Sequence, residues 1–301
     1  MIKSVTITNY LGESKKIELA YPEKSGYVIT SISGLGPVKA NILTTELATK
    51  DGAEYTSAKA GTRNILFNLK FAFGSSIEYI RQESYRHFPL KKKVEILIET
   101  DNRSCKCEGY VESNEPNIFD SSEGTTISVI CPDPYLYSIF NQVTLFSGSN
   151  PMFEFPFSNE SLTEQLLILS EILKKSRDSV YYSGDDEIGM TIKIHFIGPA
   201  KQITLYDINK RLVMKIDTDK IKTIIGSDIK DGDDIIIQTT KGQKSISFAR
   251  DGINTNILNS LGKNTSWFYL TKGENIFAYE AIEGQDNIVF SIENKIVYEG
   301  V

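Results

Sequence analysis

The chain has 301 residues, 40% hydrophobic and 24% charged, which is ordinary for a globular protein and enough for one large β domain or two of average size. With 39 acidic against 33 basic residues the net charge is −6, which argues against a nucleic-acid binder, whose footprint is basic. Three cysteines are an odd number, so no complete disulfide framework is implied and a reducing compartment is the simpler expectation.

Met1–Thr8 alternates like a strand and contains no apolar core of a secretory signal. No apolar run approaches the roughly 20 residues that span a bilayer, so the expectation is a soluble protein made in the cytoplasm. Gly34-Leu35-Gly36-Pro37 reads as a turn: it lacks the Gly-Lys-Ser/Thr ending of a phosphate loop, and Pro37 removes a backbone N–H. Gly61–Phe67 opens another alternating strand. Ser76–Phe88 predicts a helix, with Ile77, Ile80, Ser84 and Phe88 on one face, Ser75 or Ser76 as cap and Pro89 as stop. About three turns would be marginal alone, so this helix needs a sheet to pack on.

Strands follow at Val94–Thr100 and Thr126–Ile130. Cys105 and Cys107 fall on one face of a strand and would meet Cys131 if their strands pair; a zinc site would lack its fourth ligand, so half-buried thiols are expected. Cys131-Pro132-Asp133-Pro134-Tyr135 ends a strand, and Phe146–Pro151 supplies Gly/Ser/Pro punctuation. The chain therefore divides into residues 1–137, a linker over 138–156, and residues 157–301. Leu162–Lys175 has helical spacing at Leu166, Leu169 and Leu173, but Leu166–Leu169 would serve equally as a buried strand; strand or mixed structure is the favoured reading. Beyond it, Thr191–Ile197, Ile203–Ile208, Asp234–Thr239 and Ile288–Ile292 are strands, and Thr240–Gln243 is a tight turn with Gly242 at positive φ. Short strands with regular turns suggest a sandwich.

Catalytic chemistry finds little to work with. The only histidines are His87 and His195, and no Gly-x-Ser-x-Gly elbow exists. The acidic clusters Asp185–Glu187, Asp217–Asp219 and Asp231–Asp234 do not fit the calcium-loop pattern and read as turn residues. In Trp267-Phe268-Tyr269, alternation puts Trp267 and Tyr269 on one face, which is either core or a platform for a sugar ring. The expectation is a non-enzyme without cofactor or metal.

Several dispersed segments in order carry a resemblance: Ile32–Pro37, Asp51-Gly52-Ala53, Gly61-Thr62-Arg63, Arg81–Phe88, Gly109–Glu112 and Cys131–Tyr135. In the second half it continues through Phe153–Phe157, Ser183–Gly189, Thr240–Ser245, Trp267–Leu270 with Gly273-Glu274-Asn275, and Tyr298–Val301. The set resembles the distal tail protein (Dit) family of long-tailed bacteriophages. The resemblance implies a mainly β protein with a minor α component: an N-terminal β-rich α+β ring-forming domain with one helix, then a galectin-like β-sandwich. It implies a hexameric hub ring joining tail tube to tail tip or baseplate. The implied partners are the tail tube protein, the tape measure protein and a tail-associated hub or lysin protein, and the implied location is the virion tail tip. Glu160–Tyr182 departs from the family by reading more helical. Arg63, Arg81, Arg86, Lys91, Lys92 and Lys93 are the charges expected near subunit or partner contacts, against the plainer reading of a solvated face. The alternative function is a host cell-wall carbohydrate receptor acting through Trp267 and Tyr269.

Overall fold

A computed structural model of the chain describes residues 1–49, 51–72, 76–119, 123–151 and 170–301, with backbone alone at 147–151 and 170–174. It is mainly β with few helices. Two compact units emerge: Met1–Phe140 together with Val297–Val301, and Asn141–Ile296.

The first unit is built on one antiparallel sheet. From one edge to the other its strands run Ser14–Glu18, Ile2–Asn9, Lys93–Thr100, Ser104–Asn117, Gly124–Cys131, Arg63–Phe71 and Tyr27–Ser33. Leu136–Ser138 pairs with Ser104–Asn117 and with Val297–Tyr298, so the last strand of the chain belongs to this sheet. Alternation explains the core. Val5 and Ile7, Ile65 and Phe67, Val94, Ile96 and Ile98, and Ile127 and Val129 all fall on the buried phase of their strands.

The predicted helix exists as Ile77–His87 and stops before Pro89. Ser76 stands at its N-cap without a side-chain cap bond. Ile80, Ser84 and His87 face inward, Tyr27 Oη donates to the Ile80 carbonyl at 2.8 Å, and the Phe88 ring lies 5.8 Å from that of Phe67. Packing thus supplies the stability that so short a helix lacks by itself.

The second unit is a two-sheet sandwich. One sheet orders Gln142–Leu145, Ile288–Asn294, Thr191–Phe196, Asp234–Gln238, Ser245–Arg250 and Ile253–Asn256; the other orders Arg177–Tyr182, Gly273–Glu283, Lys201–Asp207 and Leu212–Ile216. A single core takes Ile192, Ile194, Ile235 and Phe290 from the first sheet with Leu205, Met214, Phe277 and Tyr279 from the second. Asp234–Gln238 and Ser245–Arg250 form the predicted hairpin, with Gly242 at φ 82° in its turn. Of the ambiguous stretch Leu162–Lys175, residues 170–174 form a strand paired with 147–151, while 162–169, like the Phe153–Phe157 motif, lie outside the described residues.

The second unit contains a helix not expected from the sequence. Thr218–Ile225 is a helix: the Asp217 carboxylate accepts from the N–H groups of Asp219 and Lys220, and Gly226 ends it at φ 84°. The Asp217–Asp219 cluster is therefore a helix start rather than a turn.

Candidate assembly surface

Between the neighbouring strands Tyr27–Ser33 and Arg63–Phe71 the chain makes a long excursion. It contains a hairpin of its own, Ala40–Glu46 paired with Ala53–Ala60, in a two-stranded sheet separate from every other. Apart from half-buried Ala60, every residue of both strands is exposed, including Ile42, Leu43 and Tyr55. A lone two-stranded ribbon is marginal in water, because neither face is covered. Ile42 and Leu43 are a little over half exposed, so covering them fully would stabilise by roughly 1–2 kcal/mol each.

The base of this excursion is pinned by Arg63. The side chain is fully buried. Its Nε donates to the Pro134 carbonyl at 2.7 Å, Nη1 to the carbonyls of Gly34 and Gly36, the latter at 2.8 Å, and Nη2 to the Glu299 carbonyl at 2.7 Å. Desolvation lowers its pKa from the usual value, with the nearby thiols of Cys107, Cys131 and Cys105 opposing. Gly34 sits at φ 83°, and a Cβ there would collide with the Asn64 carbonyl at 1.8 Å, so the turn requires glycine. Gly61 N–H donates to the Lys39 carbonyl and closes the excursion at its base. Four of the dispersed motifs, Ile32–Pro37, Gly61–Arg63, Cys131–Tyr135 and Tyr298–Val301, thus converge on one guanidinium.

The three cysteines also cluster. Cys107 Sγ and Cys131 Sγ are 4.0 Å apart, and Gly109 lacks a side chain where Cys131 Sγ would stand 2.8 Å from its Cβ. All three thiols are free and buried. Burial pushes Cys105 up to about 11, and the Cys131 contact together with burial raises Cys107. The contact with Cys107 lowers Cys131 while burial opposes it, and full burial of all three marks them as packing residues.

Of the other charges singled out in the sequence, Arg81 faces Glu123 at 3.5 Å and Lys93 pairs with Glu108 at 2.7 Å. Arg86 makes a two-pronged contact with Glu13, whose carboxyl it holds well below the usual range, at about 2. Lys92 lies 5.4 Å over the Tyr10 ring, and Lys91 occupies a turn at φ 63°. Arg86 and Lys91–Lys93 are exposed, Arg81 is half-buried, and Arg63 offers no surface at all.

In the second unit Trp267 and Tyr269 are half-buried and Phe268 is in the core, as alternation required. Lys244 stands 5.6 Å over the Trp267 ring and Lys210 4.8 Å over that of Tyr269. Lys210 Nζ also binds buried Asp207, the Tyr269 carbonyl and Asn275 Oδ1, all within 3.0 Å. A sugar stacking on these rings would compete with ammonium groups already there. A groove of about 490 Å³ is bounded by Lys201, Asp219, Lys222, Asp228 and Glu283. Lys201 pairs with Glu283 and Lys222 with Asp228, and Asp219 accepts from the Gln202 amide. The acidic clusters are likewise engaged: Asp233 with Arg250, Asp234 with Lys193 and His195, Glu187 with Lys241.

Among solved structures the chain is similar to the Dit (gp 19.1) protein of phage SPP1, described as a paradigm of the hub adsorption apparatus in phages infecting Gram-positive bacteria. The TM-score is 0.64 at 12% identity, covering 97% of this chain and 99% of that one. The fold is that of a distal tail protein. A chain of the activated phage P2 baseplate is also similar, at TM-score 0.45 and 12% identity, covering 98% of each chain. No family profile and no curated protein matches the sequence.

Proposed function

We propose that the chain is a structural protein of a phage or phage-like tail, a hub ring of six copies that joins the tail tube to the tail tip or baseplate. The observation that carries this reading is the similarity to a solved hub protein along nearly the full length of both chains. The isolated hairpin supports it from the opposite direction: an exposed, partly apolar ribbon of this kind is stable when another molecule covers it. A contact between unlike patches that closes under rotation gives a ring. In this reading the hairpin, Arg81, Arg86 and Lys91–Lys93 lie near contacts between copies or with the tail tube, tape measure and tail-associated hub or lysin proteins. The location is the virion tail tip, and the role is mechanical rather than catalytic.

Native mass spectrometry and negative-stain imaging of the purified chain test the proposal. Six-fold rings with a central opening are the expected result. A chain that stays monomeric at high concentration, also in the presence of its tube protein, overturns it.

A further inference from the structure

Lysine is rarely buried, yet the Lys210 side chain is only 14% exposed. It stands in the turn between Lys201–Asp207 and Leu212–Ile216. Asn209 Oδ1 accepts from Ile276 N–H at 2.7 Å and holds this turn against the strand Gly273–Glu283. The ammonium is thereby turned toward two fully buried side chains, Asp207 and Asn275. Its Nζ donates to Asp207 Oδ2 at 3.0 Å, to the Tyr269 carbonyl at 2.9 Å and to Asn275 Oδ1 at 3.0 Å.

An ion pair accounts for Lys210 and Asp207 alone. The third contact sets an amine against the carbonyl of a primary amide. Thr271 N–H and Thr271 Oγ1 also donate to that oxygen, at 3.0 and 3.2 Å, so its donors fix which way the amide faces. Nδ2 faces the carbonyls of Thr271 and Gly273, at 2.7 and 3.1 Å. Donors on a carbonyl oxygen draw charge from its carbon and are already in place for the oxyanion that attack creates. Near-attack geometry needs reacting atoms about 3–3.5 Å apart, and a small rotation of the Lys210 side chain takes Nζ from Oδ1 to the adjoining Cγ. The Asp207 carboxylate touches the amine and can accept the proton that the amine must lose before it attacks.

We propose that Lys210 and Asn275 form an amide bond between their side chains, with Asp207 carrying the protons. The Lys210 ammonium gives one proton to Asp207, and the free Nζ attacks Asn275 Cγ. The new Nζ–Cγ bond forms, a second Nζ proton passes to Nδ2, and the Cγ–Nδ2 bond breaks. Nδ2 leaves as ammonia and takes up the proton held by Asp207. An ammonium and a primary amide thus become a secondary amide and an ammonium ion, with no oxidant or other reactant. The burial of Asp207 and Asn275 keeps water from competing with the amine. The bond ties the turn after one strand to the neighbouring strand of the same sheet, and it is independent of the hub reading.

Mass spectrometry of the purified full chain tests it. Wild-type chain, held folded until its mass is constant and then denatured, should be lighter than its sequence by one ammonia. Its digest should contain a branched peptide that joins the segments bearing Lys210 and Asn275. Lys210→Arg, which has no amine to attack with, and Asp207→Asn should keep the full mass of their own sequences. A purely structural ion pair would lower the stability of these variants but leave the wild-type mass unchanged. Wild-type chain at full sequence mass, or ammonia lost with the Lys210 peptide unbranched, overturns the bond. A folded Asp207→Asn chain that crosslinks as completely as the wild type overturns the role of Asp207. Should either variant fail to fold, the wild-type digest decides by itself.

Discussion

Arg63 shows how a single charge can be essential to a fold rather than to its surface. Its guanidinium replaces water for four backbone carbonyls from three distant parts of the first unit. Arg63→Met keeps most of the volume but leaves those carbonyls without their donor. The expected loss is about 3–5 kcal/mol, read as a lower urea midpoint at unchanged slope. Arg63→Lys should recover little of it, since one ammonium cannot fill a five-donor fork. An effect within 1 kcal/mol, read against the same scale of about 1 kcal/mol for one ordinary hydrogen bond, would show that the carbonyls find other donors. Its strand phase, shared with Ile65 and Phe67, points inward, although the sequence reading placed Arg63 near subunit contacts or on a solvated face. Its charge argued for the surface, and only the converging carbonyls, which no local pattern encodes, reverse that argument. His87 is a second case. It is 7% exposed, its Nδ1 has no partner, and Glu83 lies 3.8 Å from Nε2. Burial lowers its pKa below the ordinary 6.5, with Lys15 and Arg86 adding to the effect and Glu83 opposing it. The unfolded chain therefore takes up this proton more readily than the native one. The stability due to neutral His87 is present above pH 6.5 and lost as pH falls toward its lower folded value. Denaturation followed from about pH 7 to about pH 5 should show a smaller loss for His87→Gln than for the wild type. Superimposable profiles would mean that the imidazole is not held neutral.

At the scale of elements, what the sequence revealed depended on whether an element has a buried face. Val94–Thr100, Thr191–Ile197 and Asp234–Thr239 were readable because the core imposes period two on them, and Ile77–His87 because the sheet imposes a helical stripe. The hairpin Ala40–Glu46 and Ala53–Ala60 has no covered face, so nothing in its sequence had to alternate. The element proposed to lie near contacts with other molecules is thus the one that periodicity cannot find. Thr218–Ile225 was missed for another reason. The Asp217–Asp219 cluster was read as turn residues, and the eight residues that follow Asp217 are too few to show a helical stripe that would overrule that reading. The cap is testable. Asp217→Ala removes the acceptor for two N–H groups and should cost about 1 kcal/mol, whereas Asp217→Asn should cost little. Equal losses in both would place the effect in the charge of Asp217, at the helix N-terminus and 3.8 Å from Lys220 Nζ, rather than in the cap bonds.

For the whole molecule, the division into two units does not follow chain order. The chain leaves the first unit after Leu136–Ser138 and returns to it as Val297–Tyr298, and these two strands pair antiparallel, Leu136 with Tyr298 and Tyr137 with Val297. The second unit is therefore an insertion whose two ends meet, with a self-contained core that runs from Phe146 to Ile292. The final residues do structural work far from their neighbours in sequence: the Glu299 carbonyl accepts from Arg63, and Val301 N–H donates to the Leu35 carbonyl. Left-to-right reading could not anticipate this, because a two-residue strand carries no pattern. The insertion predicts how the protein comes apart. Residues 141–296 expressed alone should fold, since both sheets of their sandwich are complete. Residues 1–140 joined through a short Gly/Ser linker to 297–301 should also fold, because the linker only closes a hairpin that already exists. Residues 1–140 without 297–301 should be less stable than the joined form by about 1–3 kcal/mol, the cost of an orphaned donor on Arg63 and a lost strand pair. Urea denaturation of the three pieces checks this, and equal midpoints for the last two would remove the closing strand from the account of the fold.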